Sequence, residues 1–221
     1  MTRSVHLAPD RAVGQTLGRL HVLTDTRSGR RPLEVVAGAL AGGAPVVQVR
    51  AKGCTDRELY DFALRVVAAC DAHGALCVVD DRPDVALAVG AGGTHVGAYD
   101  LPMAAVRSIT GAGHVVGGTA RDVEQARALV VEGATYLGVG PAYVTTTKEG
   151  LPAPLGPAAV GAVARAVPVP VIAIGGVSVE RVPELLAAGA YGVAVVGAVS
   201  DAADPCDATR QLLAALRAGS R

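Results

Sequence analysis

The chain has 221 residues, with 20 lysines and arginines against 20 aspartates and glutamates, and 51% of its residues are hydrophobic. That length suits one domain able to bury a large core. Balanced charge argues against nucleic acid or an anionic membrane surface as the main partner, and no apolar run approaches the roughly 18 residues of a membrane span.

Residues 1–18 show no positive-then-apolar-then-small layout of a signal peptide and are read as an N-terminal extension. The domain proper is expected over residues 19–221. It opens with a strand at Arg19 to Thr24 and a helix at Pro32 to Ala41, whose proline sits in the first turn, where a missing N–H is harmless. A second strand spans Pro45 to Arg50. Thr55-Asp56-Arg57-Glu58 is a capping box. Leu59, Phe62, Val66 and Cys70 follow at helical spacing, and Gly74 stops the helix.

Further on, strands are expected at Ala75 to Val79, Thr94 to Val96, His114 to Val116, Thr135 to Val139, Pro170 to Ile174 and Tyr191 to Val196. Helices are expected from about Pro83, Pro102, Asp122, Pro157, Val179 and Pro205. The strands read as continuous apolar runs, the mark of parallel strands buried on both faces. Eight strand–helix units in one chain fit a single (β/α)8 TIM barrel. A doubly wound open sheet is the runner-up, but Thr24-Asp25-Thr26 follows the first strand where that fold would carry a glycine fingerprint. The four cysteines, Cys54, Cys70, Cys77 and Cys206, lack zinc or redox spacing, so reduced, mostly buried thiols of a cytoplasmic protein are expected.

In such a barrel the active site is built from the ends of the strands. Gln48, Arg50 and Lys52 alternate, so their side chains leave the second strand in one direction. Asp80 and Asp81 follow the third strand, and His95 and Asp100 belong to the fourth. Two acidic loop positions at one mouth, Asp81 and Asp100, suit Mg2+, which takes one or two carboxylates plus phosphate oxygens and water. Asp84 and Asp100 are also placed where they could merely open helices. His95 reads as a satisfied interior residue.

Thr119 ends the Gly-Gly-Thr after the fifth strand. The stretch Gly138 to Gly150 abandons every helix or strand period and offers Thr145, Thr147 and Lys148. Glycines and free backbone N–H groups beside three hydroxyls and an ammonium favour an anion, most simply a phosphate. Gly175-Gly176 and Gly197 after the last two strands form a second phosphate cradle. No Ser–His–Asp set and no cysteine–histidine pair is visible. The chemistry implied is departure of a diphosphate, driven by charge neutralisation and not by a general base.

At these residues the chain resembles the thiamine phosphate synthase family. Gln48-Val49-Arg50-Ala51-Lys52 resembles its Gln-x-Arg-x-Lys, and Asp80-Asp81-Arg82 its Asn-Asp-Arg. Gly140-Pro141 through Thr145-Thr146-Thr147-Lys148 and Ala173-Ile174-Gly175-Gly176-Val177 resemble two further motifs. The resemblance implies a barrel enzyme joining hydroxymethylpyrimidine diphosphate to a thiazole phosphate, with Mg2+ as cofactor. It implies catalytic roles for Arg50, Lys52, Thr119 and Lys148. Gln48, Arg50, Lys52, Asp80, Thr119 and Lys148 would hold the pyrimidine diphosphate, and Asp81 and Asp100 the metal. Thr145, Thr147, Gly176, Val196 and Gly197 would hold the thiazole phosphate. The implied partners are small phosphorylated molecules, neither nucleic acid nor membrane, and self-association is left open.

Four positions depart from the family pattern. Asp80 replaces Asn, Ala98 replaces Gln, Thr119 replaces Ser and Gly197 replaces Ser. A second carboxylate beside Asp81 is expected to raise the pKa of one of the pair. Two alternatives remain: a paralogue similar to the thiazole tautomerases, which carry histidine where Arg121 stands here, and a barrel that binds a phosphorylated metabolite without catalysis.

Overall fold

The computed structural model describes residues 17–147, 150 and 152–219. Eight parallel strands pair in chain order and close on themselves, β1 (Leu20–Leu23), β2 (Val46–Val49), β3 (Leu76–Asp80), β4 (Gly93–Val96), β5 (Val115–Ala120), β6 (Tyr136–Val139), β7 (Val171–Ile174) and β8 (Gly192–Val195). The pairing of β1 with β8, Val22 opposite Val195, excludes the open-sheet alternative. The helices are α1 (Pro32–Ala41), α2 (Asp56–His73), α3 (Pro83–Ala88), α4 (Met103–Thr110), α5 (Val123–Val131), α6 (Gly156–Ala166), α7 (Val182–Ala188), the one-turn α8 (Gly197–Ser200) and α9 (Pro205–Ala218). None is long and apolar enough to cross a membrane among the described residues.

Strand alternation sorts the core into two shells. Leu20 and Val22 of β1, Val47 and Val49 of β2 and Leu137 and Val139 of β6 pack with helix residues in the outer clusters. Their neighbours of opposite parity point into the barrel, where Leu23, Tyr136, Ile172 and Ala194 form one cluster and Val46, Leu76 and Val78 another. Both faces of each strand are thus buried, which is why the strands read as unbroken apolar runs. Leu17 packs on both interior clusters, and its carbonyl accepts from the Tyr191 hydroxyl at 2.7 Å.

The capping box forms as the sequence prescribes. The Thr55 hydroxyl accepts from Glu58 N–H at 3.3 Å, the Glu58 carboxylate accepts from Thr55 N–H at 2.8 Å, and Gly74 closes α2 in the left-handed region at φ 66°. Other boundaries differ for local reasons. A 3-10 turn at Val179–Arg181 precedes α7, because Pro183 offers no N–H to an α-helix begun earlier. Strand β3 runs one residue further, through Asp80, and β5 runs on through Gly117, Gly118 and Thr119 to Ala120. Asp80 and Thr119 are therefore strand residues aimed into the barrel, not loop residues. The cysteines are free thiols, with Cys70 and Cys77 buried, Cys206 partly so and Cys54 exposed.

The glycines of β5 are strand residues because large groups lean on them. A Cβ at Gly117 would lie 2.1 Å from Tyr136 Cζ and 2.4 Å from His95 Nδ1. Gly117→Ala should therefore cost about 3 kcal/mol or more through forced overpacking. Urea unfolding measures it, and a loss below about 1 kcal/mol would mean that the Tyr136 ring does not rest on β5.

Candidate active site

Two groups of side chains meet at the C-terminal mouth of the barrel. The first gathers on β2, β3 and β4. Gln48, 5% exposed, donates through Nε2 to Asp80 Oδ1 at 2.9 Å, and Arg50 Nε lies 3.9 Å from Asp80 Oδ2. Lys52 is ion-paired with Asp81. Gln48, Arg50 and Lys52 do leave β2 on one side, and they meet Asp80 at the end of β3 and Asp81 just beyond it.

Asp81 is the one non-glycine residue among those described with positive φ, at 64°. Arg82 N–H reaches back to the Asp80 carbonyl at 2.8 Å, a tight three-residue turn, while Asp81 N–H donates to the His95 carbonyl at 2.7 Å. A β-carbon in this region carries strain of about 1 kcal/mol. The strained backbone turns the Asp81 carboxylate toward Lys52 and Asp100. Asp100 does not cap a helix, since Pro102 precedes α4; its Oδ2 accepts from Gly97 N–H at 2.7 Å and closes its own loop.

The electrostatics follow from this crowding. Burial raises the Asp80 carboxyl above the usual range, opposed by Lys52, Arg50 and the Gln48 hydrogen bond. Burial and then the hydrogen bond with Asp81 raise Asp100. Burial pulls on the Lys52 ammonium, but Asp81, with Asp80 and Asp100 beyond it, holds its pKa above the ordinary value. Two carboxylates in contact attract a cation, and Lys52 supplies one charge for them. No group of three or more acidic, histidine or cysteine ligands exists among the described residues. Two carboxylates suit Mg2+, which keeps waters and takes its remaining oxygens from phosphate.

Beneath this rim lies a cavity of about 50 Å³. Gln48, His95 and Thr119 make its polar side, and Ile172, Ile174 and Ala194 its apolar side. His95 is the satisfied interior residue expected, with Nδ1 3.0 Å from the Tyr136 hydroxyl and Nε2 2.9 Å from Thr119 Oγ1. Burial lowers its pKa to about 4 against the pull of Asp100, and that of His21 to about 3, with His95 as a lesser cause.

The second group lies at β6, β7 and β8. Thr145 Oγ1 donates to Thr147 Oγ1 at 3.2 Å and accepts from Thr147 N–H at 3.3 Å. Gly176 has φ 63°, and a Cβ there would meet the Val144 carbonyl oxygen at 2.5 Å. A Cβ at Gly197 would lie 3.8 Å from Thr147 Oγ1 and 2.8 Å from Asp201 Oδ2. Thr145, Thr147, Gly176, Gly197 and the adjoining Val196 thus share one side of the mouth. The glycine at 197 has a local reason, because Asp201 occupies the space a serine would need. Lys148 lies outside the described residues.

Two supporting sets have roles that were not read from the sequence. Arg121 extends from the end of β5 and donates to the Gly140 carbonyl at 3.0 Å and the Ala153 carbonyl at 2.9 Å. One guanidinium therefore fastens both ends of the threonine loop. Ala142 N–H and Tyr143 N–H donate to the carbonyls of Ile174 and Gly175 at 2.7 and 3.0 Å, tying the same loop to β7. Arg181 lies 4.4 Å over the Tyr143 ring and donates to the Gly176 carbonyl. The second set surrounds Asp25, whose side chain is 3% exposed. Arg27 grips it through two nitrogens at 2.8 and 2.6 Å, and Ser200 donates to it at 3.1 Å. Arg30 lies 3.4 Å from Asp25 and pairs with Asp201, so the β1 loop holds α8 in place. An aspartate beside an arginine two residues on was the available signal, but its partner Ser200 lies 175 positions away.

The sequence profile described as thiamine monophosphate synthase matches residues 20–199. A thiamine-phosphate synthase of Salinispora tropica is 58% identical over 204 residues, covering 91% of this chain and 98% of that protein. One from Chloroflexus aurantiacus is 41% identical, covering 89% and 91%. Among solved structures, the thiamine phosphate pyrophosphorylase from Pyrococcus furiosus superposes with a TM-score of 0.84 at 33% identity, covering 92% of this chain and 97% of that one.

Two outcomes test these supports. The Arg27 hydrogen bonds lower the Asp25 pKa from 3.8 to about 2. A depressed folded-state pKa contributes stability that is complete above the unfolded value and lost as pH falls through the folded one. The stability gap between the native chain and Asp25→Asn should thus narrow between about pH 4 and pH 2; a gap independent of pH there would refute the buried ion pair. Arg121→Met should lower the hydrogen-exchange protection of the Ala142 and Tyr143 amides roughly tenfold or more, as two charge-assisted bonds are lost. Unchanged protection would mean that the loop holds itself.

Proposed function

The chain belongs to the thiamine monophosphate synthase family and is an enzyme of thiamine biosynthesis, a transferase; from that premise we propose that it condenses 4-amino-2-methyl-5-(diphosphooxymethyl)pyrimidine with a thiazole phosphate, giving thiamine phosphate and diphosphate. The observation that carries this reading is the juxtaposition of Asp81 and Asp100 with Lys52 and Arg50 on one rim. Acids and bases interleaved at a barrel mouth suit a polyphosphate held partly through a divalent cation.

Asp81 and Asp100 would hold Mg2+, which supplies charge neutralisation of the leaving diphosphate when bound. Arg50, Lys52, Lys148 and the Thr119 hydroxyl bind the diphosphate oxygens. Gln48 and Asp80 reach the pyrimidine edge from the barrel interior. Thr145, Thr147 and the backbone of Gly176, Val196 and Gly197 take the thiazole phosphate on the opposite side. The exocyclic C–O bond breaks and its electron pair leaves with diphosphate. The aminopyrimidine stabilises the resulting cation, and the thiazole nitrogen lone pair forms the new C–N bond. The thiazole nitrogen carries no proton, so no general base is required for the new bond.

The tautomerase-like alternative turns on position 121. The Arg121 guanidinium is committed to two loop carbonyls, so it stands outside the mouth's acid–base chemistry.

Purified protein given both substrates and Mg2+ should release diphosphate in step with thiamine phosphate, and a chelator should abolish it. Asp81→Asn and Lys148→Ala should each lower turnover by about 10² to 10³ while thermal unfolding moves little. Binding of the phosphorylated substrates without any diphosphate release would overturn the proposal in favour of a non-catalytic barrel.

A further inference from the structure

A buried phenol has one proton and must place it on an acceptor. Tyr136 is 1% exposed, and among the described residues its hydroxyl has one hydrogen-bond partner, His95 Nδ1 at 3.0 Å. Burial raises the Tyr136 pKa far above its ordinary value, with Asp80 adding to it, so the proton is always present. The phenol therefore donates and Nδ1 accepts. A neutral imidazole carries its single proton on the other nitrogen. With Nδ1 accepting and the ring only 8% exposed, with a hydroxyl at each nitrogen, the proton of His95 sits on Nε2, which points at Thr119 Oγ1, 2.9 Å away. The Thr119 oxygen is then occupied as an acceptor on its inner side. Its own proton has to turn away from His95.

We infer that Tyr136 and His95 are positioning residues that set the direction of the Thr119 hydroxyl, so that it meets the ligand as a donor. A hydroxyl without such a partner is ambivalent, since it can offer a proton or a lone pair. One whose lone pair is already engaged selects for an anion, and hydrogen bonds in series polarise one another in the same direction. The anion is the leaving diphosphate, in which respect the inference rests on the function proposed above. The fold makes room for the relay at a specific cost: Gly117 lies beneath both rings, and any side chain there would strike them. Gly138, on the facing strand, leaves the other side of the imidazole open in the same way, with a built Cβ 3.1 Å from His95 Cε1.

The direct test is the tautomer of His95 in the ligand-free protein, read by long-range nitrogen–proton NMR with the signal assigned through His95→Gln. The Nε2–H form is expected. The kinetic test compares Tyr136→Phe, Thr119→Val and the double variant. Each single variant should lower kcat/KM for the pyrimidine diphosphate roughly tenfold or more. The double variant should be no worse than Thr119→Val, and the KM for thiazole phosphate should stay within about twofold. An Nδ1–H tautomer in an active native enzyme would overturn the inference and leave the proposed function standing, as would losses that multiply in the double variant. An Nε2–H tautomer in a native protein that releases no diphosphate would instead overturn the proposed function, and with it the anion as the target of Thr119.

Discussion

Three carboxylates share one rim of this barrel, and left alone they would repel. Asp80, Asp81 and Asp100 are gathered by the ends of β3 and β4, with Asp81 against Asp100, and each answers the crowding differently. Asp80 is enclosed and takes Gln48 and Arg50. Asp81 is held outward by a backbone that L-residues rarely adopt, and pairs with Lys52. Asp100 folds back on its own loop. Such an arrangement costs folding free energy, which a binding site for a cation and a polyanion explains better than packing does.

The opposite rim solves a different problem. The threonine loop is too irregular to hold its own shape through repeating hydrogen bonds, so it is held from outside. Arg121 ties its two ends, β7 carbonyls take two of its amides, and Arg181 stacks on Tyr143 while gripping Gly176. The β1 loop does the same for α8 through Asp25 and Arg30. Between the two rims, the Tyr136–His95–Thr119 line joins the consecutive strands β4, β5 and β6 on the inner wall of the barrel. Rigid strands carry the charged side, and borrowed anchors carry the threonine-loop side.

Much of this was legible in residue order. Alternation of apolar runs with helical spacing was enough for eight parallel units, because strands buried on both faces cannot hide their composition. The capping box and Gly74 fixed both ends of α2. The extension of β5 through Gly117 and Gly118 was not legible, since glycine argues against a strand until the facing Tyr136 is known. Phe62 has a helical core position by spacing yet is only partly buried, while Ala63 and Val67 take the core face of α2.

Sequence by itself determined the repeat and the types of groups at the strand ends, because parity along a strand and spacing along a helix are local geometry. Only the tertiary structure decided which of those groups touch. Asp81 meets Asp100, Arg121 reaches Ala153, and Asp25 meets Ser200 across nearly the full chain. Barrel closure makes the first and last strands neighbours, and no property of a residue's sequence neighbours encodes a contact of that kind.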